Sequence, residues 1–457
     1  MAGLSPVRLA ELREEFRKVE KVLANTPTID KSRAVPLAEY TRRRVRVVEA
    51  LQRHGLSVGF VFSDEHYDGD VPYLGGNTNV QIEQVAGVVG PTGFHIAAGL
   101  EGGYIAEQLA PRAGARVHKV EMLKLADEEY PISAKRLEEV VELAAGGPVD
   151  RIGLLSPREV VPAAIVAYLE GRYGRDNVVD CQALYQAVKY LKSDVEMRLI
   201  EDANVIADAM VRSMLAVARP GMLETQLAAW GDFVAKELGA EEMGWDVMVG
   251  ANTANRTLIG KALNRPLQRG DYVHIGVAPK RDGLNSCLRR SFVAVETPDA
   301  VTADQRYWFD FVEEAYRVGL EALKDVAAHE RPAYLQEQAL VDFFKSRSDA
   351  VSARLGKRVE LERLKPYTGT HNAGYTECQE FFGAITLNSR APLGEQIVIM
   401  LDVAVRGIGD YWDDVVIPGL DFVVIENTCG KYGRTLRELN AVPHRVQKLV
   451  GNVDELA

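Results

Sequence analysis

Residues 268–292, QRGDYVHIGVAPKRDGLNSCLRRSF, decide the fold predicted for the second half of this chain. Two apolar runs, YVHIGVAP (272–279) and LRRSFVAVE (288–296), indicate strands. Side chains alternate between the two faces of a strand, so Gly276 and His274 share one face. On the same reasoning, a second set of inward-facing residues is Asn285, Cys287 and Arg289. Such polar residues are unusual on a buried strand, where an unpaired charge is costly, and they indicate a functional site.

Long helices and further strands surround this stretch. Residues 193–217 form a predicted helix in which Ser193 caps the first turn and Glu196 completes a capping box. Another helix is predicted over 303–326. Three later runs indicate strands, namely QIVIMLDVAV (396–405), DDVVIPG (413–419) and DFVVIEN (421–427). Helices packed on such a sheet predict an α+β domain over residues 186–457.

The first 185 residues have a different pattern. Short apolar runs such as SVGFVFSD (57–64) and DRIGLLS (150–156) alternate with helical segments. This alternation predicts a smaller α/β domain over residues 1–185, with a partly parallel sheet.

Composition excludes several classes of protein. The 457 residues include 54 basic and 65 acidic side chains, for a net charge of −11, and phosphate binding requires a basic face. A nucleic-acid partner is therefore not expected. No apolar run reaches the 18 residues of a membrane span, so no membrane partner is expected either. Four cysteines without a CxxC pair fit free thiols in a reducing cytoplasm.

Four segments in one order carry a family resemblance. They are KYLKSDVEMRLIEDA (189–203), the stretch 268–292, GTHNAG (369–374) with LGEQIVIMLDVAV (393–405), and YWDDVVIPG (411–419). Together they resemble the pita-bread family of methionine aminopeptidase, Xaa-Pro aminopeptidase, prolidase and creatinase (peptidase family M24). The resemblance implies a pita-bread C-terminal domain after a smaller α/β domain, and a homodimer.

The same resemblance implies a set of metal ligands. Peptidases of the family hold two ions with two Asp, one His and two Glu. The matching positions here are Gly276, Cys287, His371, Asp402 and Asp413. Both Asp ligands are therefore absent, and Gly offers a hard ion no side-chain oxygen. Peptidases of the family often have a second His where this chain has Cys378.

Creatinase, by resemblance, also lacks the two Asp ligands and works without metal. Its proton-shuttling His falls on Ile259 of this chain, and its guanidinium-binding Glu falls on Arg289. A cation in place of that carboxylate repels a guanidinium, so creatine is not the expected substrate. Arginine instead suits a carboxylate, which it can bind through two parallel hydrogen bonds.

The first functional hypothesis is metal-independent, creatinase-like hydrolysis of a C–N bond in a small carboxylate-bearing substrate. His371 and His274 would move protons, and Asp402 and Asp413 would orient the imidazole or hold a cationic part of the substrate. Arg289 would bind the substrate carboxylate. Two further predicted substrate contacts are Asn285 and, across the interface of the homodimer, Tyr73.

Two other hypotheses remain open. A metal-dependent Xaa-Pro dipeptidase or aminopeptidase P-like enzyme would hold at most one Zn²⁺ or Mn²⁺ ion, with the ligands Cys287, His371, Asp402 and Asp413. A non-catalytic pita-bread module would bind a peptide or protein. The Cys287 thiol is a metal ligand, a nucleophile or a packing residue under these alternatives.

Overall fold

A computed structural model describes residues 4–81, 83–125, 134–252, 255–256, 260–376, 383–445, 449 and 456. They form two compact units. The N-terminal unit comprises Arg33–Leu191 with the described residues after Gly374, and the C-terminal unit contains Lys192–Ala373 and the described residues from Gly383. The chain up to Ser32 belongs to the C-terminal unit. The division therefore differs from the sequence boundary at residues 185–186, chiefly because the first helix packs in the second unit.

The regular elements follow the order expected from the sequence. The helices are α1 (Pro6–Asn25), α2 (Leu37–Arg53), α3 (Asp70–Gly75), α4 (Glu101–Ala113), α5 (Leu137–Ala145), α6 (Ala163–Tyr173), α7 (Gln182–Tyr190), α8 (Asp194–Val217), α9 (Glu224–Leu238), α10 (Ala303–His329) and α11 (Tyr334–Leu355). The strands are β1 (Gly59–Ser63), β2 (Val85–Gly90), β3 (Gly93–Ala98), β4 (Arg116–Lys119), β5 (Ile152–Leu154), β6 (Val178–Asp180), β7 (Glu242–Met243), β8 (Met248–Ala251), β9 (Tyr272–Val277), β10 (Pro279–Arg281), β11 (Leu284–Asn285), β12 (Leu288–Val293), β13 (Thr370–Asn372), β14 (Gln396–Arg406), β15 (Phe422–Tyr432) and β16 (Thr435–Glu438).

The N-terminal unit contains a six-stranded mixed sheet in the order β4-β3-β2-β1-β5-β6. Strands β1, β2 and β3 pair antiparallel, whereas β5 and β6 continue the sheet in parallel from β1 and β4 lies parallel to β3. Every residue of β1 and β2 is buried, as expected for central strands covered on both faces. The partly parallel sheet matches the sequence prediction.

The C-terminal unit is built on a sheet whose strands run in the order β13-β14-β15-β12-β9-β8, with β16 paired to β15. A separate three-stranded sheet has the order β11-β10-β7. Among the described residues no helix is long and apolar enough to cross a bilayer. Ser193 and Glu196 form the predicted capping box at the start of α8, which fixes where that helix enters the unit.

Period-two alternation separates the two faces of the large sheet. Val273, Ile275 and Val277 of β9 pack in one apolar cluster with Ile206 and Met210 of α8. The intervening residues of β9 therefore point to the opposite face. Helices cover the apolar face, and His274, Arg289, His371 and Asp402 lie on the other face.

The turn between β14 and β15 depends on a glycine at position 407. The Gly407 N–H donates to the Asp421 carbonyl oxygen at 2.9 Å, and its own carbonyl accepts from Val416 and Ile417 at 2.9 and 2.8 Å. A Cβ at position 407 would lie 1.9 Å from the Leu420 carbonyl oxygen, a backbone atom. The two long strands can therefore leave this turn in register only with glycine here.

We expect Gly407→Ala to lower the free energy of unfolding by about 1–3 kcal/mol, the range for overpacking a tight site. Gly260→Ala is the matched control, because a Cβ at position 260 meets nothing within 4 Å. Urea unfolding followed by tryptophan fluorescence measures this well, since Trp230, Trp245, Trp308 and Trp412 all belong to the C-terminal unit. Equal stability of the two variants would contradict the account of this turn.

Candidate functional site

Four strands of the large sheet place one residue each in a continuous cross-strand row. The register pairs Gly276 of β9 with Arg289 of β12, Arg289 with Glu426 of β15, and Glu426 with Asp402 of β14. Residues directly opposite each other project from the same face of a sheet. We call this the 276–402 row. It concentrates one guanidinium and two carboxylates on the polar face.

His371 completes a cluster with the two carboxylates. Strand β13 pairs His371 with Met400, two residues from Asp402. One ligand atom from each of His371, Asp402 and Glu426 lies within 4.8 Å of the other two. The three residues are 8%, 4% and 1% exposed, respectively. They form a buried His/Asp/Glu cluster.

One ring nitrogen of His371 faces a carboxylate oxygen of Glu426. The His371 Nδ1 lies 3.2 Å from the Asn372 carbonyl oxygen, and the neutral tautomer with its hydrogen on Nδ1 donates to that oxygen. Its Nε2 then faces Glu426 Oε1 at 3.4 Å. That carboxylate oxygen has no hydrogen-bond partner among the described residues. Two facing lone pairs are stable only with a proton or a cation between them.

Arg289 joins the carboxylates to His274. Its Nη1 donates to Asp402 Oδ2 at 2.9 Å and lies 3.5 Å from Glu426 Oε2. Its Nε donates to His274 Nε2 at 2.9 Å. Tyr367 holds the other oxygen of the same carboxylate, donating its hydroxyl to Asp402 Oδ1 at 2.6 Å. The guanidinium is therefore fixed from two sides, and its charge is balanced within the cluster.

The missing side chain at position 276 makes room for this arrangement. A Cβ at Gly276 would lie 3.1 Å from Arg289 Cγ, 3.5 Å from Met248 Sδ and 3.6 Å from His274 Nε2. The first of these distances is tighter than ordinary van der Waals contact. Arg289 and a larger residue at position 276 therefore compete for the same space.

The two carboxylates differ in their protonation. Burial and the charge of Glu426 raise the pKa of Asp402 to about 7, although Arg289, Tyr367 and His371 act in the opposite direction. Burial alone would also raise the pKa of Glu426, but interactions with His371, Arg289 and the Cys287 thiol outweigh it and hold that pKa below its usual value. Glu426 is therefore the carboxylate that keeps its charge, and Asp402 is the one that takes up a proton first.

The surroundings of His274 disfavour the proton-carrying role predicted from the sequence, because they disfavour a charged ring. Burial, with the adjacent Arg289 charge, holds the pKa of His274 well below its usual value. The ring is 1% exposed and packs edge-on to Phe422 with 5.7 Å between the centroids. A neutral ring that accepts from Arg289 positions the guanidinium. The sequence was right that His274 faces the site.

Cys287 also reaches the cluster. It is fully buried, and its backbone exchanges hydrogen bonds of 3.0 and 2.9 Å with the Thr428 hydroxyl. Its thiol interacts with Glu426 and helps to keep that carboxylate charged. The ligand and nucleophile alternatives remain predictions.

Asp413 is not part of the cluster, whereas Glu426, which the sequence analysis did not single out, is part of it. Asp413 is exposed in the turn that follows β14, and the predicted strand DDVVIPG (413–419) is part of that connection. Glu426, thirteen residues later, pairs with Asp402 instead. One sequence signal could have found it: Glu426 lies in the predicted strand 421–427, which follows 396–405 as an antiparallel neighbour.

Two predicted substrate contacts lie elsewhere. Asn285 pairs with Lys280 in the three-stranded sheet, because β11 ends there and β12 begins only at Leu288. The alternation assumed from Asn285 to Arg289 therefore does not hold. Tyr73 packs against Tyr185 and Tyr375 in the N-terminal unit and is 1% exposed, which leaves no ring surface for a substrate. The homodimer on which its role depended stays a prediction.

Arg289, which the sequence analysis predicts to bind the substrate carboxylate, is paired with other residues. Arg289 is 4% exposed and already paired with two carboxylates, so it does not offer the guanidinium that a substrate carboxylate would need. Ile259 and Cys378 lie outside the described residues.

The family resemblance implies a pair of divalent ions, and the residues fit one of them at most. His371 Nε2 and Glu426 Oε1, with Asp402, offer donors to a single ion. A second ion does not fit. Gly276 supplies no donor, and the Arg289 guanidinium lies between the carboxylates that such an ion would need.

Comparison with known proteins agrees with this geometry at the level of the fold. A sheet with helices on one face and a polar cluster on the other, after a smaller α/β unit, is the arrangement that the pita-bread resemblance implies. Residues 198–359 match the family model for metallopeptidase family M24. This match covers about a third of the chain, and with the relatives described next it makes the chain similar to the M24 pita-bread family.

Two of the relatives are Xaa-Pro dipeptidases. The Xaa-Pro dipeptidase of Pyrococcus horikoshii is 24% identical over 229 residues, 50% of this chain and 63% of that protein. The Xaa-Pro dipeptidase of Pyrococcus furiosus is 28% identical over 153 residues, 33% of this chain and 43% of that protein. The chain thus matches less than two thirds of the length of each.

Two solved structures share the fold over most of the chain. The prolidase of Pyrococcus horikoshii OT3 has a TM-score of 0.67 at 16% identity and covers 88% of this chain and 99% of its own. The X-Pro aminopeptidase of Thermotoga maritima has a TM-score of 0.68 at 14% identity and covers 88% and 98%. The pita-bread fold predicted from the sequence is confirmed.

Proposed function

We propose that this protein hydrolyses a peptide-type C–N bond in a small, dipeptide-like substrate, as an Xaa-Pro dipeptidase-like member of its family. The observation that carries the proposal is the buried cluster of His371, Asp402 and Glu426 on the polar face of the sheet. Three titratable groups converging at one such place are typical of a catalytic site.

The residues of the cluster have separable roles in this proposal. Glu426 keeps its charge and accepts a proton from the attacking water. When no ion occupies the cluster, His371 Nε2, which faces Glu426, takes up that proton and passes it on to the leaving nitrogen. Tyr367 and Arg289 hold both oxygens of Asp402 and so fix the carboxylate beside Glu426.

A single divalent ion would be held by His371, Asp402 and Glu426. When bound, such an ion supplies Lewis-acid polarisation of the scissile carbonyl. Metal-independent, creatinase-like cleavage is the second candidate. The Arg289 guanidinium between the two carboxylates favours it, because this arrangement already provides a buried positive charge.

A substrate assay on protein stripped with EDTA tests the proposal. Ala-Pro serves as the dipeptide probe and N-acetylsarcosine as a small carboxylate-bearing amide, each with and without added Mn²⁺. Proline release that requires Mn²⁺ supports the one-ion dipeptidase, and turnover unchanged by EDTA supports the metal-independent candidate. Binding of either compound or of longer peptides without turnover would overturn hydrolysis and leave the non-catalytic binding module.

A further inference from the structure

The Arg289 side chain passes the position at which, by the family resemblance, the first metal-binding Asp would begin. In the family resemblance, the position of Gly276 belongs to the first Asp ligand. Here that position has no side chain, and Arg289 Cγ lies 3.1 Å from where a Cβ would be. The head of the same side chain reaches Asp402 at 2.9 Å and Glu426 at 3.5 Å.

The charges of the cluster also disfavour a second divalent ion. Glycine and cysteine at positions 276 and 287 remove two carboxylates from the five-residue set that the resemblance implies. Two acidic residues remain, and Arg289 offsets one negative charge. A second divalent ion would add two positive charges next to a buried guanidinium, and the described residues of the cluster offer no new donor to receive them. In a buried site this repulsion is several-fold stronger than in water.

We propose that Arg289, in the space opened by Gly276, is a built-in cation that replaces one of the two ions of the family. The cluster of His371, Asp402 and Glu426 therefore binds one divalent ion at most. Arg289 acts as a positioning residue for the two carboxylates. The inference rests on the proposed function in one respect, namely that this cluster is the active site.

The neighbours of Arg289 keep it from making way for an ion. His274 accepts from Nε at 2.9 Å and is itself packed on Phe422. Tyr367 donates to the carboxylate that the guanidinium binds. A movement of Arg289 out of the row would leave both His274 Nε2 and Asp402 Oδ2 without their buried partner, which is costly.

The test counts bound ions and does not require turnover. Mn²⁺ bound to EDTA-stripped protein is measured by equilibrium dialysis and elemental analysis for wild type and for the double variant Gly276→Asp/Arg289→Met. We expect at most one equivalent in wild type and one more in the double variant. The control Gly260→Asp/Arg269→Met makes the same chemical change at an open glycine and at an exposed arginine, and it should match wild type.

The single variant Arg289→Met tests the same inference if the double variant does not fold. Without the neighbouring cation, the Kd for Mn²⁺ should fall at least tenfold relative to wild type. Two equivalents in wild type, or no tighter binding in Arg289→Met, would overturn the inference. Failure to hydrolyse any probe would count against the proposed function, and the ion count would still decide the inference.

Discussion

Replacing Glu426 by glutamine should reduce turnover of the dipeptide probe by about 10²–10⁴-fold, the usual contribution of a positioned acid–base group. Glutamine keeps the shape of the side chain but cannot carry the negative charge that His371, Arg289 and Cys287 favour at this position. The loss should appear in kcat whether Glu426 accepts a proton or holds an ion. Either role requires the ionised carboxylate.

Asp413→Asn is the matched control for this prediction. Asp413 is exposed in the turn after β14, so its amide variant should retain at least half of the wild-type rate. Comparison of the two variants at equal thermal stability shows which of the two acidic residues, Glu426 or Asp413, is required for turnover. The opposite ranking, with Asp413→Asn inactive and Glu426→Gln active, would show that the cluster on the sheet is not the catalytic one.

The sequence predicted the fold better than the site because the two depend on different information. Apolar periodicity and the capping box of Ser193 and Glu196 are local, and both appear as predicted in the structure. The position of Glu426 depends on how strands β14 and β15 pair across a fifteen-residue connection. Counting along the chain from Asp402 cannot supply that register, and the match to the family's last Glu position fell on Asp413 instead.

Strand continuity limited the other site predictions. His274 and Arg289 lie within β9 and β12, and the rule that alternate residues share a face placed both of them correctly. Asn285 falls in another sheet because the chain leaves regular pairing at Ser286 and Cys287. The partners of Arg289 were also beyond sequence reasoning. Its ion pairs with Asp402 and Glu426 join three strands that are far apart in the chain.

Arg289→Met should lower the stability of the C-terminal unit by about 3–5 kcal/mol, the loss found when one partner of a buried ion pair is removed. Arg289, Asp402 and Glu426 are 4%, 4% and 1% exposed, so water cannot replace the guanidinium. Methionine retains much of the apolar stem but leaves two buried carboxylates without their cation. Urea unfolding followed by tryptophan fluorescence reports on this unit, to which all four tryptophans belong.

Two companion measurements show whether charge or packing causes that loss. In the double variant Arg289→Met/Glu426→Gln, one carboxylate is neutral, so a substantial part of the lost stability should return. Saturating Mn²⁺ should also stabilise Arg289→Met, because a ligand at 100 times its Kd adds about 2.7 kcal/mol. If neither the second substitution nor the ion restores stability, the guanidinium acts through its shape, and its charge does not hold Asp402 and Glu426 together.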